Sequence, residues 1–480
     1  MRSPRASQCL FSVLLVAASA CGGGGAVSVA DPLGRADAPL VGSHAPSGAG
    51  ACPVFHCASE ATGAMSLPLG AASYPPYWNN ATAGTMVGQG CGGDGSILAC
   101  VFSNDANQTG TLKVFDPIAR RELWGSNTRF ALSSRAATGQ VPYIASNGDI
   151  YASDDMNVVR YAADGTTASA SLGRASRGST SFGVIGLDDT SAFVNQKNGV
   201  LSVIDLDTLS VLATDTLATA NGVRLNLSSP ASAHAGPFGT RGYMVTTETG
   251  GGRLVNGYLR AESLSRTGAS AAWSFPFQGT SGASPVVLTV PGAANPLVLV
   301  HTPADAGATS ARKGDRLVAI EDQGATYRVA WSVKVDAPIG VAPLIDAVRQ
   351  RIYFAVHGDS ALHALDFTGR EVGSPVDGKP YDLRALLTSR GVPNVNDATL
   401  NGHIVGTFTA THQTVFLSMS GAAGQLVMGL DPAAGTLDWV TPMAAQDGYT
   451  AAWTIAIRSS GGNCPVFVGS QSGINVLCPP

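Results

Sequence analysis

Short apolar stretches alternate with polar and glycine-rich turns along most of this chain, and few runs carry the spacing of a long amphipathic helix. One unit recurs. It is an apolar strand, a turn, a β-rich strand, a polar turn, a strand ending in an acidic turn, and a strand that often ends in tryptophan. The acidic-turn segments are Lys113–Pro117, Arg160–Gly165, Val203–Thr208, Leu259–Ser263, Val318–Asp322, His363–Gly369 and Met428–Gly435, with starts 47, 43, 56, 59, 45 and 65 residues apart. A strand averages ~5–6 residues, so ~45 residues hold four strands and three turns, which is one propeller blade. Seven units leave a remainder, 449–478, with only three strands: Thr450–Ile457, Cys464–Gly469 and Gly473–Cys478. An unpaired sheet edge is unfavourable, so a fourth strand is expected from the N-terminal stretch Ala61–Leu69. The expected fold is therefore all-β, an eight-bladed propeller of four-stranded antiparallel blades over 51–480, with seven blades as the alternative.

The clearest copy is Ile345–Gly369, in which strands Ile352–Val356 and Ala361–Leu365 flank a Gly-Asp turn. Leu430–Trp439 (LDPAAGTLDW) joins the acidic turn to the terminal tryptophan, and Trp124, Trp273 and Trp331 hold the same place in other copies. These residues resemble the repeat of the pyrroloquinoline-quinone-type (PQQ-like) β-propellers, a strand ending in Leu-Asp-x-x-x-Gly-x-x-x-Trp. The resemblance covers about residues 85–480. It departs at Arg120, which replaces the motif glycine, and in the second and third copies, which lack the tryptophan.

The N-terminus carries an address. Met1–Arg5 is cationic, and Cys9–Ala20 is apolar but too short to span a bilayer. This reads as a signal peptide over 1–20. Ala18-Ser19-Ala20 suits ordinary signal peptidase, but Cys21 followed by four glycines resembles a bacterial lipobox, in which Cys21 becomes the lipidated N-terminus. Residues 21–50 are rich in Gly, Ala, Ser and Pro and are expected to be a flexible tether. No later apolar run reaches the length of a membrane helix, so membrane contact is expected only through the lipid. Of the six remaining cysteines, Cys91 and Cys100 flank a hairpin turn centred near residue 95, Cys464 and Cys478 are symmetric about 471, and Cys52 lies near Cys57. Three local disulfides are expected, and they suit an exported chain.

Composition narrows the partners. Only 13% of residues are charged and the net charge is −4, with lysine at five positions only, so no basic face exists for nucleic acid. Apolar residues make up 45%, too many for a disordered chain. Adjacent cysteines and a Cys-x-x-Cys-His haem motif, which the resemblance would bring if the chain were a quinoprotein dehydrogenase, are absent from the sequence. A Gly-x-Ser-x-Gly elbow and a His-Glu-x-x-His helix are absent too. The expectation is no catalytic residue, no metal and no cofactor.

Propellers bind on the face that carries the turns between the second and third strands of each blade. Those turns bring Asp105, Asp154, Asp155 and Asp359 to a mildly acidic rim, although aspartate is also what tight turns require. His357 and His363 flank one of these hairpins and are expected to be ordinary surface residues. The longest entry loop, 373–402, contains Pro380–Gly391, where Leu383, Leu386 and Leu387 share a helical face. Leu383 and Leu387 are candidate partner-binding residues there. Together these features lead to an expectation of a monomeric outer-membrane lipoprotein that binds an envelope protein, peptide or glycan without catalysis. At fold level it resembles the propeller lipoproteins of outer-membrane protein assembly. The alternatives are a quinoprotein-type oxidoreductase and a carbohydrate-active propeller.

Overall fold

A computed structural model describes residues 61–480, apart from 62–63, 66, 68, 70–72, 81–85, 105–108, 125–131, 134–140, 146, 163–165, 176–177, 189, 249–255, 304–313, 336, 340–341, 357, 410–412, 444–452 and 470–472. Each repeat forms one antiparallel sheet, numbered here as blades 1–8. Blades 1–7 span 86–124, 143–171, 181–216, 225–278, 286–334, 344–382 and 399–442. The eighth joins 453–477 to a strand from the N-terminal side. The fold is an eight-bladed β-propeller of four-stranded antiparallel sheets, nearly all β. First strands such as Val286–Leu288 and Leu344–Asp346 are wholly buried. Fourth strands such as Val211–Thr216 alternate between half-buried and exposed, as an edge with one solvated face should.

The strand that completes blade 8 is Pro76–Asn80, which pairs antiparallel with Gly473–Leu477. This corrects the expectation that Ala61–Leu69 would supply it. An outer strand must be amphipathic, and Pro76–Asn80 is partly exposed along its length. Its proline sits at the first position, where a missing N–H costs no ladder bond. The apolar residues upstream, Met65, Leu67 and Leu69, are buried in the core instead. Ala64–Met65 adds a short parallel pairing to the first strand of blade 7.

The tryptophans share one local geometry. Trp124, Trp273, Trp331 and Trp439 lie in fourth strands opposite Val114, Ala261, Ala319 and Gly429. In each case the register shifts immediately afterwards. The extra residue of each bulge (Leu123, Ala272, Ala330 or Asp438) directly precedes the tryptophan. Two indoles reach the next blade: Trp273 Nε1 donates to Asp322 Oδ1 at 2.9 Å and Trp331 Nε1 to the Phe367 carbonyl at 2.9 Å. The recurring acidic residues hold the turns. The carboxylates of Asp116, Asp205, Asp366 and Asp431 accept backbone N–H groups two to four residues ahead.

Cys91–Cys100 and Cys464–Cys478 are disulfides, closing 9 and 14 residues. Cys91 and Cys100 face each other in the hairpin of blade 1. Cys21, Cys52 and Cys57 lie outside the described residues.

The expected helix over 380–391 is Leu383–Ser389. Asp382 caps it, its side chain accepting from Ala385 N at 3.1 Å. Gly391, at φ 76°, follows its end in the left-handed region that favours glycine.

Candidate functional site

The aspartates on the turn-bearing face spend much of their capacity on the turns themselves. Asp154 Oδ1 accepts from Met156 N and Asn157 N, both at 2.7 Å. Asp155 Oδ2 accepts from Gly178 N at 2.6 Å. Both residues are buried in blade 2, whereas Asp359 lies in blade 6. The structure therefore does not gather these three into one cluster, and Asp105 lies outside the described residues.

Leu383 and Leu387 are not on a binding face. Both are fully buried, in a cluster with Val395, Ala398, Leu417 and Met419. The helix is cover for the core between blades 6 and 7, because its shared apolar stripe finds an apolar partner within the ring.

What the turn of blade 6 builds instead is a cleft. Phe354 on the second strand lies opposite His363 on the third, and their rings stack at 4.9 Å with an interplanar angle of 15°. Asp359 divides its carboxylate: Oδ1 accepts from Ser360 N at 2.6 Å, while Oδ2 lies 4.0 Å from His363 Nε2. On the other edge of the imidazole, Glu371 Oε1 lies 3.5 Å from Nδ1. Glu371 is set there by a backbone bridge to Leu365. The side chains of Asp359 and Glu371 are 42% and 48% exposed, against 25% for His363, so the carboxylates keep room for another partner. Facing them across the blade junction is the end of the fourth strand of blade 5, at Lys334. Together they line a cavity of about 430 Å³ whose apolar wall includes Val333, Val356 and Leu365. His363 is thus the centre of a cleft rather than an ordinary surface residue. Glu371 carries no sequence signal, because its position depends on the path of the chain after the acidic turn at Asp366. His357 lies outside the described residues.

A second constellation sits in blade 5. Ser281 Oγ is 3.1 Å from His301 Nδ1, and His301 Nε2 is 2.9 Å from Asp315 Oδ2. All three residues are buried, Ser281 at 1% exposure. The line of bonds ties Ser281, on the approach to blade 5, to His301 in the second strand of that blade and to Asp315 just before the third. Its members are separated by 20 and 14 residues, a spacing that matches no motif.

No protein-family model matches the sequence, and no curated protein matches it. Solved structures do. The chain is similar to a quinohemoprotein alcohol dehydrogenase from Comamonas testosteroni, at 10% identity over 89% of this chain and 80% of that one, with a TM-score of 0.59. It is similar to a europium-containing methanol dehydrogenase at 12% identity, over 87% and 89% of the two chains, with a TM-score of 0.55. It is also similar to Sqt1 of Saccharomyces cerevisiae, at 10% identity over 85% and 100%, with a TM-score of 0.53. At these identities the likeness is one of fold alone, a β-propeller.

Whether a quinone would fit depends on the residues present. The donor set does not match the adjacent cysteines that the resemblance to quinoprotein dehydrogenases implies. The four described cysteines are joined within hairpins, in pairs 9 and 14 residues apart. Among the described residues no three His, Cys, Asp or Glu side chains are grouped to hold a metal ion.

Proposed function

We propose that this chain is an exported, lipid-anchored propeller that binds or scaffolds a partner at the cell envelope without catalysing a reaction. The observation that carries the reading is the pair of hairpin disulfides, Cys91–Cys100 and Cys464–Cys478. Such bonds persist in oxidising compartments, and residues 1–20 read as a signal-like segment followed directly by Cys21. The body supports a binding role. Its aspartates at 154 and 155 each accept backbone N–H groups, its Ser281–His301–Asp315 line is buried, and its open cleft is lined by charged side chains of both signs.

Mass spectrometry of the protein from a bacterial envelope tests the anchor: a diacyl or triacyl modification on Cys21 is expected, and an unmodified N-terminus would refute it. Thermal melting with added pyrroloquinoline quinone and calcium tests the non-catalytic reading. No rise in Tm is expected, while a concentration-dependent rise would establish cofactor binding and favour the oxidoreductase alternative.

A further inference from the structure

We infer that the cleft between blades 5 and 6 is a saccharide-binding site that takes one or two neutral pyranose rings, with Asp359, Glu371 and Lys334 as its polar contacts and His363 as its platform. The inference rests on the binding reading above and names the ligand class.

The charge pattern of the wall is the first argument. A cationic ligand would meet Asp359 and Glu371 but also Lys334, and an anionic one would meet the reverse. A sugar hydroxyl both donates and accepts. Neutral polyols therefore use acceptors and donors in the same cavity without an opposed charge. The carboxylates are suited to this, because each is only partly engaged: Asp359 Oδ2 and Glu371 Oε1 stand 4.0 and 3.5 Å from the imidazole nitrogens, beyond hydrogen-bond length.

Shape is the second argument. The imidazole of His363 is held flat by its stack on Phe354. The carboxylates stand at its two nitrogen-bearing edges, so a planar platform has acceptors on two sides. A pyranose stacking its C–H face on a ring presents its hydroxyls outward around its own rim, where such acceptors lie. Space is the third: about 430 Å³ lies within the range of small-molecule sites, roughly 300–1,000 Å³. The mixed polar and apolar walls match a ligand with hydroxyls on its rim and C–H groups on its faces.

Isothermal titration of the full chain with maltose, cellobiose and N,N′-diacetylchitobiose tests the site, with trilysine as the cationic comparison. At least one disaccharide is expected to bind at millimolar Kd or tighter. Glu371→Gln and Asp359→Asn should each weaken that binding tenfold or more while leaving Tm within a few degrees of the wild type. Binding by none of the three sugars overturns the inference, as does sugar binding that both variants retain. Binding by trilysine alone would make the cleft a cation site and would also overturn it. A quinone-induced rise in Tm would refute the non-catalytic reading independently of these titrations, whereas loss of the sugar result alone would leave that reading standing.

Discussion

The indole N–H of Trp331 donates to the carbonyl oxygen of Phe367 at 2.9 Å, across the junction of blades 5 and 6. The ring also lies against Gly369, whose φ is 82° and where an added Cβ would come within 2.6 Å of the indole. Lys334 follows three residues later on the same strand, roughly 10 Å away along an extended chain. One strand thus closes the junction at one end and borders the cleft at the other.

Removing the donor should be felt. Trp331→Phe is expected to cost about 1–2 kcal/mol, from a lost hydrogen bond and lost packing. Gly369→Ala should cost more, at least about 2 kcal/mol, because it combines a positive φ with a direct clash. Urea unfolding of both variants checks the order, and equal stabilities would refute it.

Asp322 accepts from Trp273 Nε1 at 2.9 Å, Tyr243 OH at 2.7 Å and Gly324 N at 2.8 Å, with Arg241 Nε at 3.7 Å. It is fully buried. Asp322→Ala would leave a buried guanidinium without this carboxylate, at a cost of about 3–5 kcal/mol. Burial and this carboxylate also push the Tyr243 phenol well above the usual tyrosine range. Burial raises Tyr151 and Tyr353 in the same way, so absorbance titration should leave these three tyrosines protonated until the protein unfolds.

Acid should weaken a surface tie between blades 3 and 4. Asp205 is held down to about 2, first by the Thr208 backbone N–H and then by the Arg266 side chain. Its folded value is below the unfolded 3.8, so the contribution is complete above pH 3.8 and is lost as the pH falls through about 2. Arg266 is 45% exposed, which limits the pair to roughly 0.5 kcal/mol. Arg266→Ala should cost about that much at pH 7 and clearly less at pH 2, where Asp205 is about half protonated, as measured by urea unfolding at both values.

Leu387→Asp should unfold blade 6 or 7 rather than abolish a contact, because it places an unpaired carboxylate at a site of 0% exposure. A loss of about 3–5 kcal/mol is expected. A variant with unchanged Tm would contradict the buried position.

The Cys464–Cys478 bond closes 14 residues, for which chain-entropy reasoning gives about 3 kcal/mol. Cys464→Ser with Cys478→Ser should lower Tm by several degrees, and reductant should lower the wild-type Tm at least as far, because it also opens Cys91–Cys100.

The repeat was legible because each blade carries its own turn chemistry: Asp431 with Gly435 and Trp439 forms a local pattern that survives in one dimension. Cys91 and Cys100 were legible for the same reason, being neighbours across a short hairpin. Leu383 and Leu387 misled because periodicity reports an apolar stripe without saying which surface it meets. Glu371 and Ser281 were illegible because their partners come from different strands or blades. The N-terminal strand was placed too early because an apolar stretch was read as an edge, where an alternating one belongs.

Asn79 and Asn475, hydrogen-bonded partners on the last seam, stand 396 residues apart in sequence. Blade 8 therefore stays incomplete until Gly473–Leu477 is available to pair with Pro76–Asn80, and a chain still short of those residues has no route to the finished ring. Closure of the ring is thereby deferred until the seven blades between the two strands of this seam have their full sequence.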